Sequence, residues 1–122
     1  MKYQLKLEIN GLPKTVNALG RKHWAVKVKH NKFWEKLVGY EIFKQNLKPS
    51  EPLKKAKIEF VRYSSIEPDF DNLVNSFKVI MDALIKNGII IDDKPSIVGC
   101  PTYAWEKCKK KEGKITVEIK EV

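Results

Sequence analysis

Alternating polar and apolar residues predict β-strands at both ends of the chain and near its middle. Residues 2–10 place Tyr3, Leu5, Leu7 and Ile9 on one face, with polar side chains between them. Residues 53–63 alternate in the same way, and so do residues 114–121. Residues 97–108 also read as a strand, and we expect them to form a final hairpin with residues 114–121 across residues 109–113.

Helical spacing predicts two amphipathic helices between these strands. The first covers about residues 29–47 and is marked by Phe33, Leu37, Tyr40, Phe43 and Leu47. The second covers residues 72–86 and ends at Asn87-Gly88. Residues 89–91, three isoleucines, predict a short buried strand, and residues 11–30 predict a long loop.

The order of these elements predicts one α+β domain over residues 1–122, with a mixed or antiparallel sheet and two main helices packed on it. A chain of 122 residues has the length of one such domain. It has no apolar run near the ~20 residues that cross a bilayer, and no secretory signal at its N-terminus. We therefore expect a cytoplasmic protein. Two cysteines without a C-x-x-C pattern argue against a zinc site.

Charge changes this picture, because the chain carries 24 basic and 15 acidic residues, a net charge of +9. Basic domains of this size commonly bind nucleic acid. Positive charge is concentrated in residues 1–62, whereas residues 63–96 are net acidic and hold every aspartate of the chain. Clustered carboxylates in a basic protein suggest a divalent cation beside a phosphate backbone.

The acidic segment offers a specific set of chemical groups. Asp69 and Asp71 point the same way if the backbone is extended, and Asp71, Asn75, Lys78 and Asp82 form one stripe of the following helix. Asp92-Asp93 follow the predicted buried strand. Carboxylate ligands without Cys or His favour Mg²⁺ or Mn²⁺, and Lys78 would neutralise charge developing on a phosphate. Asp92 and Asp82 would support the site or orient Lys78.

Each group also has a purely structural interpretation. One of the first two aspartates could cap the helix, Lys78 and Asp82 could be an ordinary surface ion pair, and Asp92-Asp93-Lys94-Pro95 could be a turn. Basic residues around the long loop predict a DNA-binding surface on which Trp24 could stack on a base, although Trp24 could equally belong to the core. The predicted contacts from this region are Lys14, Arg21, Lys22, Trp24, Lys27 and Lys29.

The acidic segment resembles the RusA family of Holliday junction resolvases, small endonucleases often carried by prophages. The likeness rests on Asp69-x-Asp71-Asn72-Leu73, Lys78-x-x-x-Asp82-Ala83-Leu84 and Gly88-Ile89-Ile90-x-Asp92-Asp93. A weaker likeness over Gly11-Leu12-Pro13 to Asn17 adds Asn17 to the predicted DNA contacts. In the family the lysine follows the second aspartate by four residues, and here it follows by seven.

The resemblance implies a homodimer that binds four-way DNA junctions and cuts two strands symmetrically with Mg²⁺, in DNA recombination and repair. It implies Asp69, Asp71 and Asp93 as metal ligands, Lys78 as the essential lysine, and Asn72 as a polar residue beside the site. The predicted activity is that of a crossover junction endodeoxyribonuclease. Two alternatives remain: a non-catalytic, structure-selective DNA-binding protein, and a Mg²⁺-dependent nuclease acting on other branched nucleic acids.

Overall fold

The computed structural model describes residues 2–14 and 24–122 as a four-stranded mixed sheet with helices packed against it, a single small α+β domain. The predicted fold class is therefore confirmed. Asn17, Arg21 and Lys22 lie outside the described residues. The elements are β1 (Gln4–Asn10), α1 (Trp24–Gln45), β2 (Ala56–Ser64), α2 (Phe70–Ser76), α3 (Lys78–Lys86), α4 (Pro95–Val98), β3 (Thr102–Lys107), a 3₁₀ turn (Lys110–Glu112) and β4 (Lys114–Glu121).

The sheet has the strand order β1-β4-β2-β3, so the predicted final hairpin is wrong. β4 pairs antiparallel with both β1 and β2, whereas β3 pairs parallel with β2 at the edge. The difference follows from burial. Ile115, Val117 and Ile119 of β4 are completely buried, but no residue of β3 is fully buried. The more apolar strand takes the central position, where both neighbours help to cover it.

Helix α1 begins earlier than predicted, at Trp24, so residues 24–30 are helical rather than part of a loop. It also buries a different face. Trp34, Val38 and Ile42 pack into the core, while Phe33, Tyr40, Phe43 and Leu47 of the predicted face stay exposed. Apolar side chains therefore cover two sides of this helix, and periodicity alone cannot tell which side faces inward.

Helix α1 packs closely on α3, and a small residue makes this approach possible. The Asn87 side-chain amide donates to the Glu35 carbonyl at 3.1 Å and to the Ala83 carbonyl at 2.9 Å, which joins the end of α3 to α1. A Cβ atom on Gly39 would lie 2.7 Å from Asn87 Oδ1. Glycine at this position therefore lets the two helices meet.

The predicted helix over residues 72–86 is divided into α2 and α3 at Phe77. The Phe77 N–H donates to the Val74 carbonyl at 3.1 Å, a tighter turn than an α-helix makes. Its ring is buried against Phe60, with ring centroids 4.7 Å apart, and against Tyr103. As a result, Lys78 is the first residue of a new helix. That helix ends as predicted, with Gly88 at a φ of 76°.

Residues 89–91 do not form a strand of the sheet, contrary to prediction. They make an isolated parallel bridge with Leu53, whose N–H donates to the Ile89 carbonyl at 2.8 Å. Ile89 and Ile90 are buried, and Ile91 is exposed. The bridge fixes the chain just before Asp92-Asp93. The short helix α4 follows, with Pro95 as its first residue.

Candidate active site

Asp69 and Asp71 lie at the start of α2. Asp69 immediately precedes the helix in extended conformation, and its carboxylate makes no capping hydrogen bond. Asp71 is already inside the first turn, so it does not occupy the capping position. Both side chains are exposed, while Asn72 beside them is half-buried. The capping interpretation therefore does not account for either carboxylate, although negative charge here suits the helix dipole.

Lys78 brings together two acidic side chains from different parts of the chain. Its Nζ lies 3.7 Å from Asp82 Oδ1, one turn further along α3, and 4.0 Å from Asp93 Oδ2. The Lys78–Asp82 contact alone would be an ordinary surface pair, since Lys78 is 62% exposed. The contact with Asp93 is not local. Asp93 follows residues 89–91, whose backbone the bridge to Leu53 anchors.

The two consecutive aspartates have different surroundings. Asp92 Oδ1 accepts the N–H of Asp93 at 2.8 Å, and Asp92 Oδ2 lies 3.8 Å from Lys94 Nζ. Asp92 therefore stabilises the turn, as the structural interpretation expected. Asp93 instead faces Lys78.

A cavity of about 280 Å³ opens beside this cluster, between α2, α3, α4 and β3. Asn75, Lys78, Asp93 and Tyr103 supply its polar wall, and the rest of the lining is largely apolar. Burial, and secondarily the negative charge of Asp93, raises the pKa of the Tyr103 phenol. Tyr103 was not predicted, because its place depends on the parallel pairing of β3 with β2, which no local pattern reveals.

The structure does not bring the three predicted metal ligands, Asp69, Asp71 and Asp93, together as one metal-binding group. Across residues 2–14 and 24–122, no three His, Cys, Asp or Glu side chains form a group that could hold a metal ion. The chemistry of the donors nevertheless suits a hard divalent cation. Mg²⁺ usually keeps several waters and takes only one or two carboxylates, with substrate phosphates completing its coordination.

The predicted DNA contacts that the structure describes are Lys14, after β1, and Trp24, Lys27 and Lys29, in the first two turns of α1. Trp24 is 69% exposed at the start of α1, so it is not a core residue. Lys27 and Lys29 belong to α1 rather than to a loop, and Lys14 is exposed after β1. Within the described part of the chain, no helix is long and apolar enough to cross a membrane.

A lysine between two carboxylates, further carboxylates on a nearby helix, and a basic surface are the groups expected of an enzyme that hydrolyses nucleic-acid phosphodiesters. The chain matches the family model described as Endodeoxyribonuclease RusA over residues 14–120 and belongs to that family. A search of curated proteins finds no match. The predicted resemblance is thus confirmed: the protein belongs to a family of Holliday junction resolving nucleases, divalent-metal dependent in general, that act on branched DNA in recombination.

Proposed function

We propose that this protein is a Mg²⁺-dependent resolvase that cuts four-way DNA junctions symmetrically as a homodimer. The observation that carries the proposal is the position of Lys78, within 4.0 Å of both Asp82 and Asp93 at the rim of a cavity. The Lys78 ammonium group, held between two carboxylates, can contact the negative charge of a phosphodiester without a change in the fold.

Asp69, Asp71 and Asp93 are the proposed carboxylate ligands of the divalent cation. When bound, such a cation supplies a nucleophilic water and polarises the scissile phosphate. Lys78 stabilises the charge that develops on the phosphate oxygens. Asp82 holds the Lys78 side chain in place, and Asp92 fixes the backbone that presents Asp93.

Junction binding is assigned to basic residues after β1 and in the first turns of α1. Lys14, Lys27 and Lys29 would contact phosphates, which gives affinity without sequence selectivity and a strong dependence on salt. Trp24, exposed at the start of α1, would stack on an unpaired base at the crossover. Asn17, Arg21 and Lys22 remain proposed contacts from sequence alone.

The outer face of α1, together with Leu47 just beyond its end, is the proposed dimer surface. Phe33, Tyr40, Phe43 and Leu47 are 58%, 60%, 83% and 46% exposed. With about 200 Å² for each aromatic side chain, these residues present roughly 500 Å² of largely apolar surface. A standard interface buries about 800 Å² per partner, of which somewhat more than half is apolar. The exposed area therefore matches what a two-fold dimer needs, and a four-way junction has the same approximate symmetry.

Replacing Phe43 by glutamate tests this surface. We expect the variant to sediment as a monomer at concentrations where the wild type is a dimer, because the charge would be buried on both sides of the interface. Glu41→Gln, on the same helix, is the control. A monomeric wild type, or an unchanged dimer in the Phe43 variant, would remove this face from consideration.

The activity is tested with a synthetic four-way junction, a flap and a linear duplex, each incubated with Mg²⁺ or with EDTA. Symmetric nicking of the junction alone, and only with Mg²⁺, is the expected result. Cleavage of flaps in preference to junctions would indicate a different branched substrate. Tight junction binding without any cleavage would indicate a binding protein and contradict the proposed catalysis.

A further inference from the structure

A second cavity shares Lys78 with the first but is not lined by Asp93. It has a volume of about 200 Å³ and is enclosed by the segment after β1, by α1, and by α2 and α3. Taking about 30 Å³ per water in the liquid, it has room for roughly seven waters. Its lining residues are Lys14, Lys27, His30, Asn31, Asn75, Lys78, Val79 and Asp82.

The charge of this cavity suits an anion. Its lining includes three lysines, Lys14, Lys27 and Lys78, and one acidic residue, Asp82. The Asp82 carboxylate lies 3.7 Å from Lys78 Nζ. Three lysines and one aspartate give the walls a formal net charge of about +2. Two asparagine amides add hydrogen-bond donors. A phosphodiester group, with one negative charge and two exposed oxygens, is the ligand of matching size and charge.

The backbone that carries Lys14 is held in place by two hydrogen bonds from distant parts of the chain. The Lys14 N–H donates to His30 Nε2 on α1 at 3.1 Å. The carbonyl of the preceding residue, Pro13, accepts from the Arg62 guanidinium on β2 at 2.9 Å. These two hydrogen bonds fix the backbone from which the Lys14 side chain extends at the cavity.

Lys78 and Asn75 line both cavities, so the two cavities are neighbours. We propose that the second cavity binds a non-scissile phosphate of the DNA strand, adjacent to the phosphate that reacts beside Lys78 and Asp93. Lys14 and Lys27 then act as positioning residues that set where along the strand the cut falls. This inference rests on the proposed function, since it takes the strand at Lys78 to be the substrate.

Single neutral methylphosphonates placed along the junction strands test the proposal, with binding measured in EDTA so that no cleavage is needed. For the wild type, we expect a methylphosphonate at one position of the strand to weaken binding about five- to tenfold. Lys27→Met should weaken binding to the unmodified junction similarly and reduce the slope of log K against log salt by about one. In this variant, the methylphosphonate at that position should have no further effect.

Lys86→Met is the matched control, because it removes the same charge from α3 outside the cavity and should retain the full methylphosphonate penalty. The proposal is overturned if every methylphosphonate weakens binding by Lys27→Met as much as binding by the wild type. It is equally overturned if Lys27→Met and Lys86→Met behave alike, or if the wild type binds no DNA. A further result would also overturn it: inorganic phosphate stabilises the wild type but not Lys27→Met, while the methylphosphonate penalties are the same in both proteins. The ligand of the cavity would then be a free phosphate compound rather than a DNA strand. Failure of the proposed resolvase activity would be seen separately, as an uncut junction in Mg²⁺.

Discussion

Replacing Lys78 by methionine separates a catalytic role from a structural one, because the two roles predict effects of different size. At 3.7 and 4.0 Å from carboxylates, and with 62% of its side chain exposed, Lys78 makes ion pairs worth about 0.2–1 kcal/mol to stability. Stabilising charge in a transition state is worth more. Loss of one such group typically costs about 2.7–4 kcal/mol, or about 10²–10³ in rate.

The measurements are the rate of junction nicking in Mg²⁺ and the free energy of unfolding from urea titration. We expect Lys78→Met to nick at least a hundredfold more slowly while unfolding within about 1 kcal/mol of the wild type. Lys86→Met is the control on the same helix. Lys86 is equally exposed, at 62%, and also pairs with one glutamate, Glu35, at 3.6 Å. It lies outside the cavity that contains Asp93.

Retention of nicking within about twofold in Lys78→Met would refute the assignment, and so would an equal loss in Lys86→Met. A sharper form of the test adds Asn75→Lys to the Lys78→Met protein. Asn75 lines the same cavity and lies four residues after Asp71, the spacing that the family uses for its lysine. If a positive charge in this cavity is what the reaction requires, the double variant should recover part of the lost rate.

Three further predictions concern the acids, the core and a partly buried histidine. Asp71→Asn should bind the junction as the wild type does in a gel-shift assay yet fail to cut it, and wild-type cleavage would show that Asp71 is not a ligand. Phe77→Ala should lower the free energy of unfolding by about 3–5 kcal/mol in urea, because the ring is buried against Phe60; a loss below about 1 kcal/mol would contradict this packing. Burial, above all, lowers the pKa of His30 from 6.5. Its stabilising contribution is therefore complete above about pH 6.5 and lost as pH falls through the lowered pKa, and His30→Gln should unfold with a weaker pH dependence over that window.

Local patterns predicted those features of the fold that depend on one face being buried. β1 and β4 were found because Leu5, Leu7 and Ile9, like their partners Ile119, Val117 and Ile115, alternate with polar residues. Pairing could not be found in this way. A strand's alternation says which side is apolar but carries no information on its neighbour, so the place of β3 beside β2 required the whole sheet.

Helix α1 illustrates a second limit of periodicity. The stripe containing Phe33, Tyr40 and Phe43 repeats at helical spacing as regularly as the stripe containing Trp34 and Val38. Trp34 and Val38 of the second stripe are buried in the core, whereas the first stripe contributes only the partly buried Leu37 to it. The sequence therefore predicts that a helix forms here. Which of its faces is buried depends on the sheet and on α3, against which it packs.

The candidate site shows the same division between local and non-local information. The Lys78–Asp82 pair follows from helical spacing and is present at 3.7 Å. From the sequence, Asp93 and Lys78 were placed in one site only through the family resemblance. In the structure, Asp93 follows a backbone segment anchored by hydrogen bonds between Leu53 and residues 89–91, which a pattern of acidic residues does not contain.

The later position of the lysine in this chain, seven residues after Asp71 rather than four, is accommodated by the break at Phe77. Because α2 ends at Ser76 and a new helix begins at Lys78, the ammonium group is presented from a helix start instead of from the second turn of α2. It still reaches Asp93 at 4.0 Å. The buried Phe77 ring, wedged between Phe60 and Tyr103, holds this break in place. In the proposed site, core packing at Phe77 thus sets where the Lys78 ammonium lies relative to the Asp93 carboxylate.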